Sequence, residues 1–295
     1  MISICIPNYN FNCENLLNEI KNEINNVSEP IEVIVVDDKS NIDLKNIEKS
    51  CKKLGFKYFK NKQNIGSIST RKVLAKKSIF QWLLFIDSDM RLKKDNFLKK
   101  YIDLISNHNE NCYIGGYCYS KNEKIKNLRY NYGFEREYVP SNIRNRNPYR
   151  YIFSGNILIK KSIFIGASEK INENRYGMDL MLAINIKKMG VKVLHIDNNL
   201  FHKSDESNES FLHKIEQSSK TLFNIKNEKK TSLKYIKILN LYFLLRKTNC
   251  SNLFFNLFKI AYKPLKKILI RHSSPIIFLD LIRLYYIVKQ DYNEK

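Results

Sequence analysis

The chain has 295 residues and a mass of 35.0 kDa, room for one large domain or two modest ones of ~100–200 residues each. Its 43% hydrophobic and 12% aromatic content supports a packed core and excludes a wholly disordered chain, while only 9 Gly and 6 Pro exclude a collagen-like or linker-rich design. With 51 basic and 29 acidic residues the net charge is +22, which calls for an anionic partner: nucleic acid, an acidic membrane face or a phosphorylated substrate.

In chain order, residues 2–6 form a short apolar run ended by Pro7 and read as a buried strand. Leu16, Leu17, Ile20 and Ile24 recur at helical spacing after candidate caps at Asn10 or Asn12. Residues 31–36 are almost all β-branched or otherwise apolar, as in a strand covered on both faces. A helix over 43–54, a strand over 56–59 and a helix beginning near Ser67 follow, and 82–86 is a second continuous apolar strand, ending at Asp87. This alternation predicts an α/β domain with a mostly parallel sheet flanked by helices. In such sheets ligands bind beyond the carboxyl ends of the strands. Three polar clusters occupy those ends: Pro7-Asn8-Tyr9-Asn10, Asp37-Asp38-Lys39-Ser40 and Asp87-Ser88-Asp89.

Further on, 130–150 is rich in Tyr, Asn and Arg and reads as a long surface loop. A strand over 152–159, a helix over 179–188 and a strand over 191–196 come next. Residues 220–271 carry 13 basic residues and one acidic, Glu228, interleaved with Leu, Ile, Phe and Tyr. No apolar run approaches the ~18 residues that cross a bilayer. The tail therefore reads as helices with solvated Lys faces or as an amphipathic anchor on anionic lipid, with residues 260–270 the best interfacial stretch although Pro264 interrupts it. The six Cys form no C-x-x-C pair and are expected to be ordinary reduced thiols. No charged segment followed by an apolar one opens the chain, so no secretory leader is expected.

The motifs carry chemistry of different weight. Two carboxylates at i and i+2 after a buried strand, Asp87 and Asp89, are costly unless a cation binds them, and Mg2+ or Mn2+ shared with substrate phosphates would suit. Asp37-Asp38 serves either as a turn and cap pair or as an acceptor for a base or ribose. Gly66 at a helix start with Arg71 one turn in is suited to phosphate. His195, inside an apolar run, reads as a satisfied core histidine.

Taken together, Ile4-Cys5-Ile6-Pro7-Asn8-Tyr9-Asn10, Val35-Val36-Asp37-Asp38-Lys39-Ser40, Asn64-Ile65-Gly66 with Arg71, and Phe85-Ile86-Asp87-Ser88-Asp89 resemble the family 2 glycosyltransferases of GT-A fold, in the family's order and spacing. The likeness continues through Phe153-Ser154-Gly155-Asn156, Tyr176-Gly177-Met178-Asp179 and the stretch from His195 to His202, and so covers about 1–225. It implies a Rossmann-like, mixed, mostly parallel sheet, with 1–110 holding the nucleotide, 111–225 the acceptor, and 226–295 forming a basic amphipathic helical extension.

By this resemblance Pro7, Tyr9, Asn10, Asp37, Asp38, Asn64, Gly66, Arg71, Asp87 and Ser88 would bind the nucleotide-sugar, and Asn156, Gly177 and Met178 the acceptor. Asp89 and His202 would hold Mn2+ or Mg2+, and Asp179 would be the general base. The implied activity is inverting, metal-dependent transfer of a hexosyl or N-acetylhexosaminyl group from a nucleoside-diphosphate sugar, UDP-sugars foremost, to a glycan or lipid-linked acceptor. The implied setting is surface polysaccharide or glycolipid synthesis, in the cytoplasm or peripheral on the inner membrane face, without nucleic acid. One departure stands out: Met178 replaces the Glu usual before Asp179, which keeps a non-catalytic nucleotide-sugar or glycan-binding protein as the alternative. A sugar-1-phosphate nucleotidyltransferase would need a Gly-rich basic loop after the first strand, and 7–11 has none.

Overall fold

A computed structural model describes the chain except for residues 94–95, 121–126, 173, 226–235, 272–274 and 294–295. The expected extension over 226–295 thus includes three stretches outside the described residues.

The chain forms two compact units, neither continuous in sequence. The first comprises 1–119, 138–174 and 179–203; the second comprises 120–137, 175–178 and 204–295. The first is built on strands β1 (Ile2–Asn8), β2 (Ile31–Asp37), β3 (Lys57–Lys60), β4 (Trp82–Ile86), β5 (Met90–Leu92), β6 (Cys112–Ile114), β7 (Tyr117–Cys118), β8 (Asn156–Lys160), β9 (Val193–His195) and β10 (Leu200–His202). Seven pair in the order β3-β2-β1-β4-β8-β6-β9, and β5-β10-β7 form a separate three-stranded sheet. β3, β2, β1 and β4 are mutually parallel, whereas β8 runs antiparallel to both β4 and β6. The order reverses at β1, with β2 on one side and β4 on the other, which is the switch point where open α/β sheets leave a crevice.

The continuous apolar strands behave as their composition requires. β4 is buried along its whole length and β1 is buried except at Pro7, because helices cover both faces of a parallel sheet. The expected end of β1 at Pro7 is corrected: the strand runs on to Asn8, paired with Asp37. Its ladder with β4 already stops at Cys5 opposite Phe85, so the missing proline N–H breaks no rung on that side.

Among the helices of this unit are α1 (Glu14–Asn25), α2 (Lys45–Leu54), α3 (Ser67–Lys77) and α4 (Phe97–Asn107). The α1 start has no side-chain cap from Asn10; Asn12 Oδ1 instead accepts from the Glu14 N–H at 3.1 Å. Five of the six cysteines are buried and all are free. Burial pushes the thiols of Cys5, Cys13 and Cys51 up to about 12, which leaves them protonated and unreactive near neutral pH.

The expected surface loop over 130–150 is also corrected. It contains most of α5 (Leu128–Arg136), all of α6 (Ser141–Arg144) and a 3-10 turn over Pro148–Tyr151. Arg144, 0% exposed, explains why polarity misled. Its guanidinium donates to the carbonyls of Val139, Ile114, Gly115 and Ile196 and to His195 Nδ1, with Asp197 3.5 Å away. A buried cation is tolerated when its donors are satisfied.

The remaining helices among the described residues are α7 (Lys161–Ser168), α8 (Asp179–Lys188), α9 (Asn208–Asn224), α10 (Lys237–Lys247), α11 (Ser251–Arg271) and α12 (Ile276–Asn293). In the second unit α12 packs on α9, α10 and α11. Phe255 of α11 stacks on Tyr285 and Tyr292 of α12, and the Tyr262 and Tyr286 hydroxyls meet at 2.6 Å. Pro264 does not break α11; it lies at an exposed position, where one lost helical bond can be made up by water. Among the described residues no helix is long and apolar enough to cross a membrane.

His195 is the satisfied core histidine expected. Arginine only donates and a carbonyl only accepts, so its Nδ1 accepts from Arg144 at 3.0 Å and its Nε2 donates to Pro148 O at 2.8 Å. Burial, with Arg144 adding to it, pulls the imidazole from 6.5 down to about 4. The folded state therefore favours the neutral ring. Its contribution, about 3 kcal/mol for a shift of this size, is fully present above pH 6.5 and is lost as the pH falls from there through about 4. Denaturant unfolding from pH 7 to 4 is expected to show this extra loss in the native protein, and His195→Asn to be less stable at pH 7 with a correspondingly flatter profile.

Candidate active site

The loops after β1, β2 and β4 meet at the carboxyl edge of the parallel strands. The first two are laced together. Asn10, at φ 52°, donates its N–H to Ser40 Oγ at 2.7 Å and accepts from the Asn41 N–H at 2.7 Å. Tyr9 is 45% exposed and its hydroxyl accepts from Asn41 Nδ2 at 3.3 Å, which leaves an open aromatic surface on the rim. Pro7 lies half-buried within β1 beside it.

Asp37 and Asp38 are tied to protein donors. Asp37 is fully buried; its carboxylate accepts from the Ser40 N–H and hydroxyl at 2.9 and 2.6 Å, and Lys60 Nζ lies 3.3 Å away. Asp38 accepts from Asn61 Nδ2 at 2.8 Å and from the backbone N–H groups of Ile65 and Gly66 at 3.0 and 2.8 Å. In this arrangement both carboxylates shape the loops that form the rim. Gly66 caps α3 at φ 84°, and any Cβ there would run into the Asn174 side chain, which itself donates to Asn64 Oδ1 at 3.0 Å.

Arg71 is the centre of the site. It is 2% exposed, in the second turn of α3, and donates to Ser67 and in a close ion pair to Asp87. Its Nε is buried with no partner among the described residues. Burial opposes the charge, but Asp87 and then Asp179 outweigh it and hold the guanidinium above its ordinary value. Asp87 feels the reverse balance: burial raises it, Arg71 lowers it, Asp179 raises it again, and the outcome is a carboxyl above the usual range. One guanidinium paired with Asp87 thus also lies in the field of Asp179, a balance that further positive charge would relieve. Asp179 opens α8, where its acidic side chain complements the helix N-terminus.

The separate three-stranded sheet delivers the rest. Ser88 is buried in the turn after β4, and β5 then pairs His202 of β10 with Met90, next to Asp89. Asp89 Oδ2 and His202 Nε2 lie 3.6 Å apart. The other edge of β10 pairs with β7 and brings in Tyr117, edge-on to His202, while Tyr119 stacks on the same ring. An oxygen and a nitrogen at this spacing suit two ligands of one divalent ion, each about 2.1 Å from it. Among the described residues no group of three ligating side chains converges, so an ion here would complete its shell from substrate phosphate or water, as Mg2+ and Mn2+ commonly do.

Of the three residues expected toward an acceptor, Asn156 is placed differently. Asn156 is wholly buried, with its amide spent on the Tyr101 hydroxyl and on the carbonyls of Gly116 and Asn198; it braces a loop and has no surface to offer an acceptor. Gly177 and the buried Met178 belong to the second unit. Tyr117 was not singled out in the sequence, and Gly155 was named within a motif without a role of its own. Tyr117 accepts from the Gly155 N–H at 3.1 Å and adds to the field at Arg71. A Cβ on Gly155 would lie within the Asp87 carboxylate and 2.7 Å from the Tyr117 hydroxyl. The small residue before the Asn156 strand was the available signal for the second.

The sequence pattern of the family described as Glycosyl transferase family 2 matches residues 3–168. No curated protein matches the chain in sequence. Among solved structures, S. aureus TarS 1–349 in complex with UDP-GlcNAc is similar at 18% identity and TM-score 0.55, covering 99% of this chain and 91% of that one. Mannosyltransferase PcManGT from Pyrobaculum calidifontis, in complex with GDP-Man and Mn2+, is similar at 14% identity and TM-score 0.55, covering 100% and 88%. Glucosyl-3-phosphoglycerate synthase from Mycobacterium tuberculosis, in complex with Mn2+, UDP and glucosyl-3-phosphoglycerate, matches at 15% identity and TM-score 0.52 over 75% and 78%. These likenesses show the GT-A fold.

Gly155→Ala is expected to lower stability by about 1–3 kcal/mol, the usual cost of forcing a methyl into filled space. Gly166→Ala, where the new Cβ meets only the flexible end of Met189, is expected to be near neutral; urea unfolding of the two variants measures the difference.

Proposed function

This chain belongs to glycosyl transferase family 2, and from that premise we propose that it is an inverting, metal-dependent glycosyltransferase acting on a nucleoside-diphosphate sugar. The observation that carries this reading is the Arg71–Asp87–Asp179 cluster at the switch point of a parallel sheet, with Asp89 and His202 close by.

Residues 1–110 hold the nucleotide: Tyr9 offers its ring to the base, while Asp37 and Asp38 act on base and ribose through the loops they tie. UDP-sugars are the leading donors, a choice supported by the UDP complexes of two structural neighbours, although a third holds GDP-Man. Arg71, fixed by Asp87, faces the diphosphate and balances charge that develops as the bond from C1 to the phosphate oxygen breaks. A divalent ion at Asp89 and His202 would supply further neutralisation of that leaving group. Asp179 takes the proton of the acceptor hydroxyl as its oxygen bonds to C1. One base and one in-line displacement invert the anomeric centre and need no second carboxylate. Residues 111–225 receive a glycan or lipid-linked acceptor, in surface polysaccharide or glycolipid synthesis on the cytoplasmic side of the membrane. Transfer of hexose or N-acetylhexosamine suits the same chemistry.

A binding-only protein is the second reading, favoured by Met178 in place of the family's usual Glu. Hydrolysis and transfer with UDP-, GDP- and TDP-sugars and Mn2+ separate the two. Asp179→Asn is expected to lose activity by about a hundredfold or more, as expected for a general base, while thermal shift with the same donor stays unchanged. Turnover of no donor, with Asp179→Asn indistinguishable from the native protein, would sink the enzyme reading. His202→Ala is expected to raise the Mn2+ concentration for half-maximal activity by more than about tenfold, the least that even outer-shell partners contribute.

A further inference from the structure

Helix α11 has two apolar faces, and among the described residues only one is packed against the rest of its unit. Phe255, Tyr262 and Leu269 recur at seven-residue spacing and turn toward the unit's interior. Phe255 stacks on Tyr285 and Tyr292, Tyr262 stacks on Tyr285, and Leu269 is fully buried. Leu253, Leu257 and Ile260 stand roughly 140–180° around the helix from that face. They are 62%, 61% and 80% exposed. A solvated helix face normally carries polar residues, so this stripe has no account within the fold. Pro264 and the exposed Lys267 continue its line toward the C-terminus.

The charge beside the stripe indicates what covers it. Lys259, Lys263 and Lys267 are exposed along its flank and pair with no acidic group among the described residues. Residues 237–271 contain eight Lys or Arg and no Asp or Glu. A second copy docking on this face through a two-fold axis would set these lysine rows against each other, with nothing in the segment to neutralise them. Anionic lipid is the complement: Leu and Ile enter the boundary of the acyl chains while Lys stems lie along it and their ammonium groups reach phosphate.

We propose that the outer face of α11 is a docking surface for an anionic phospholipid bilayer, with Leu253, Leu257 and Ile260 inserted and Lys259, Lys263 and Lys267 on head-group phosphates. The chain lies on the membrane and does not span it. The surface rests on the helix's own geometry and is independent of the proposed transferase activity.

Flotation of the full chain with phosphatidylcholine vesicles, with and without phosphatidylglycerol, tests it. The native protein is expected to float with the mixed vesicles, to stay down with phosphatidylcholine alone, and to be released by raised salt. Leu257→Gln with Ile260→Gln, and separately Lys263→Glu with Lys267→Glu, are each expected to weaken partitioning by about tenfold or more. Both pairs are exposed, and circular dichroism melts are expected to match the native protein. Transfer to a water-soluble acceptor is read in parallel and is expected to be unaffected, so loss of flotation and loss of catalysis are scored separately. The proposal is overturned if the native protein fails to float with phosphatidylglycerol vesicles, or floats equally well in both double variants. It is overturned too if the native chain self-associates in sedimentation and Leu257→Gln with Ile260→Gln abolishes that association without changing flotation.

Discussion

A guanidinium that is 2% exposed is the constraint around which the rest of this site is arranged. Taking a charge of that kind out of water costs on the order of several kcal/mol unless a counter-charge and hydrogen bonds replace the lost hydration. Arg71 receives both, from Asp87 at the end of β4 and from Ser67 one turn earlier on its own helix. The pair therefore pins α3 to the sheet at its switch point. It also explains Gly155: the chain must pass so close to the Asp87 carboxylate that no side chain fits. Asp179 enters the same field from the start of α8. A surplus of negative charge over a single guanidinium suits a place where a cation-bearing anionic substrate is received.

The second organising element is a sheet too small to be seen in advance. β5 and β7 have three and two residues, and β10 has three. Their pairing decides that Asp89, Tyr117 and His202 share one corner. None of these strands has enough length for a periodic pattern, so only the ladder itself reveals them. The same holds for Arg144, whose five hydrogen-bond partners lie on the chain at 114, 115, 139, 195 and 196. Sequence polarity placed it on the surface, and the geometry of its partners places it inside.

The distribution of charge separates two surfaces with different tasks. Acidic side chains gather at the carboxyl edge of the parallel strands, while residues 237–271, which include helices α10 and α11, carry eight basic residues and no acidic one. Within α11 the same helix that locks aromatic rings into its unit displays a Leu and Ile stripe on the opposite side. The overall excess of positive charge is thus a property of the tail more than of the site.

How much was legible follows from which residues report their surroundings. Continuous apolar runs such as 82–86 could only be strands buried on both faces, and the observed β4 has those bounds. The helix over 179–188 and the start at Ser67 were equally readable, since strand ends and helix starts leave local signals. The four motifs in order carried the family, because their spacing follows from the strand–helix repeat. What a polar side chain does was far less readable. Asn156, expected toward an acceptor, is consumed by Tyr101, Gly116 and Asn198. Asp38, expected toward the base, closes the loop at Ile65 and Gly66.

By itself, then, the sequence determined the α/β class, the parallel half of the sheet and the edge on which polar clusters would meet, since burial pattern and strand order are written in local composition. Only the tertiary structure decided that Arg71 is buried against Asp87 within the field of Asp179, that His202 stands beside Asp89, and which face of α11 is left uncovered. Those outcomes depend on pairings between residues that are distant along the chain, and hydrogen-bond capacity alone does not say which partner will be in reach.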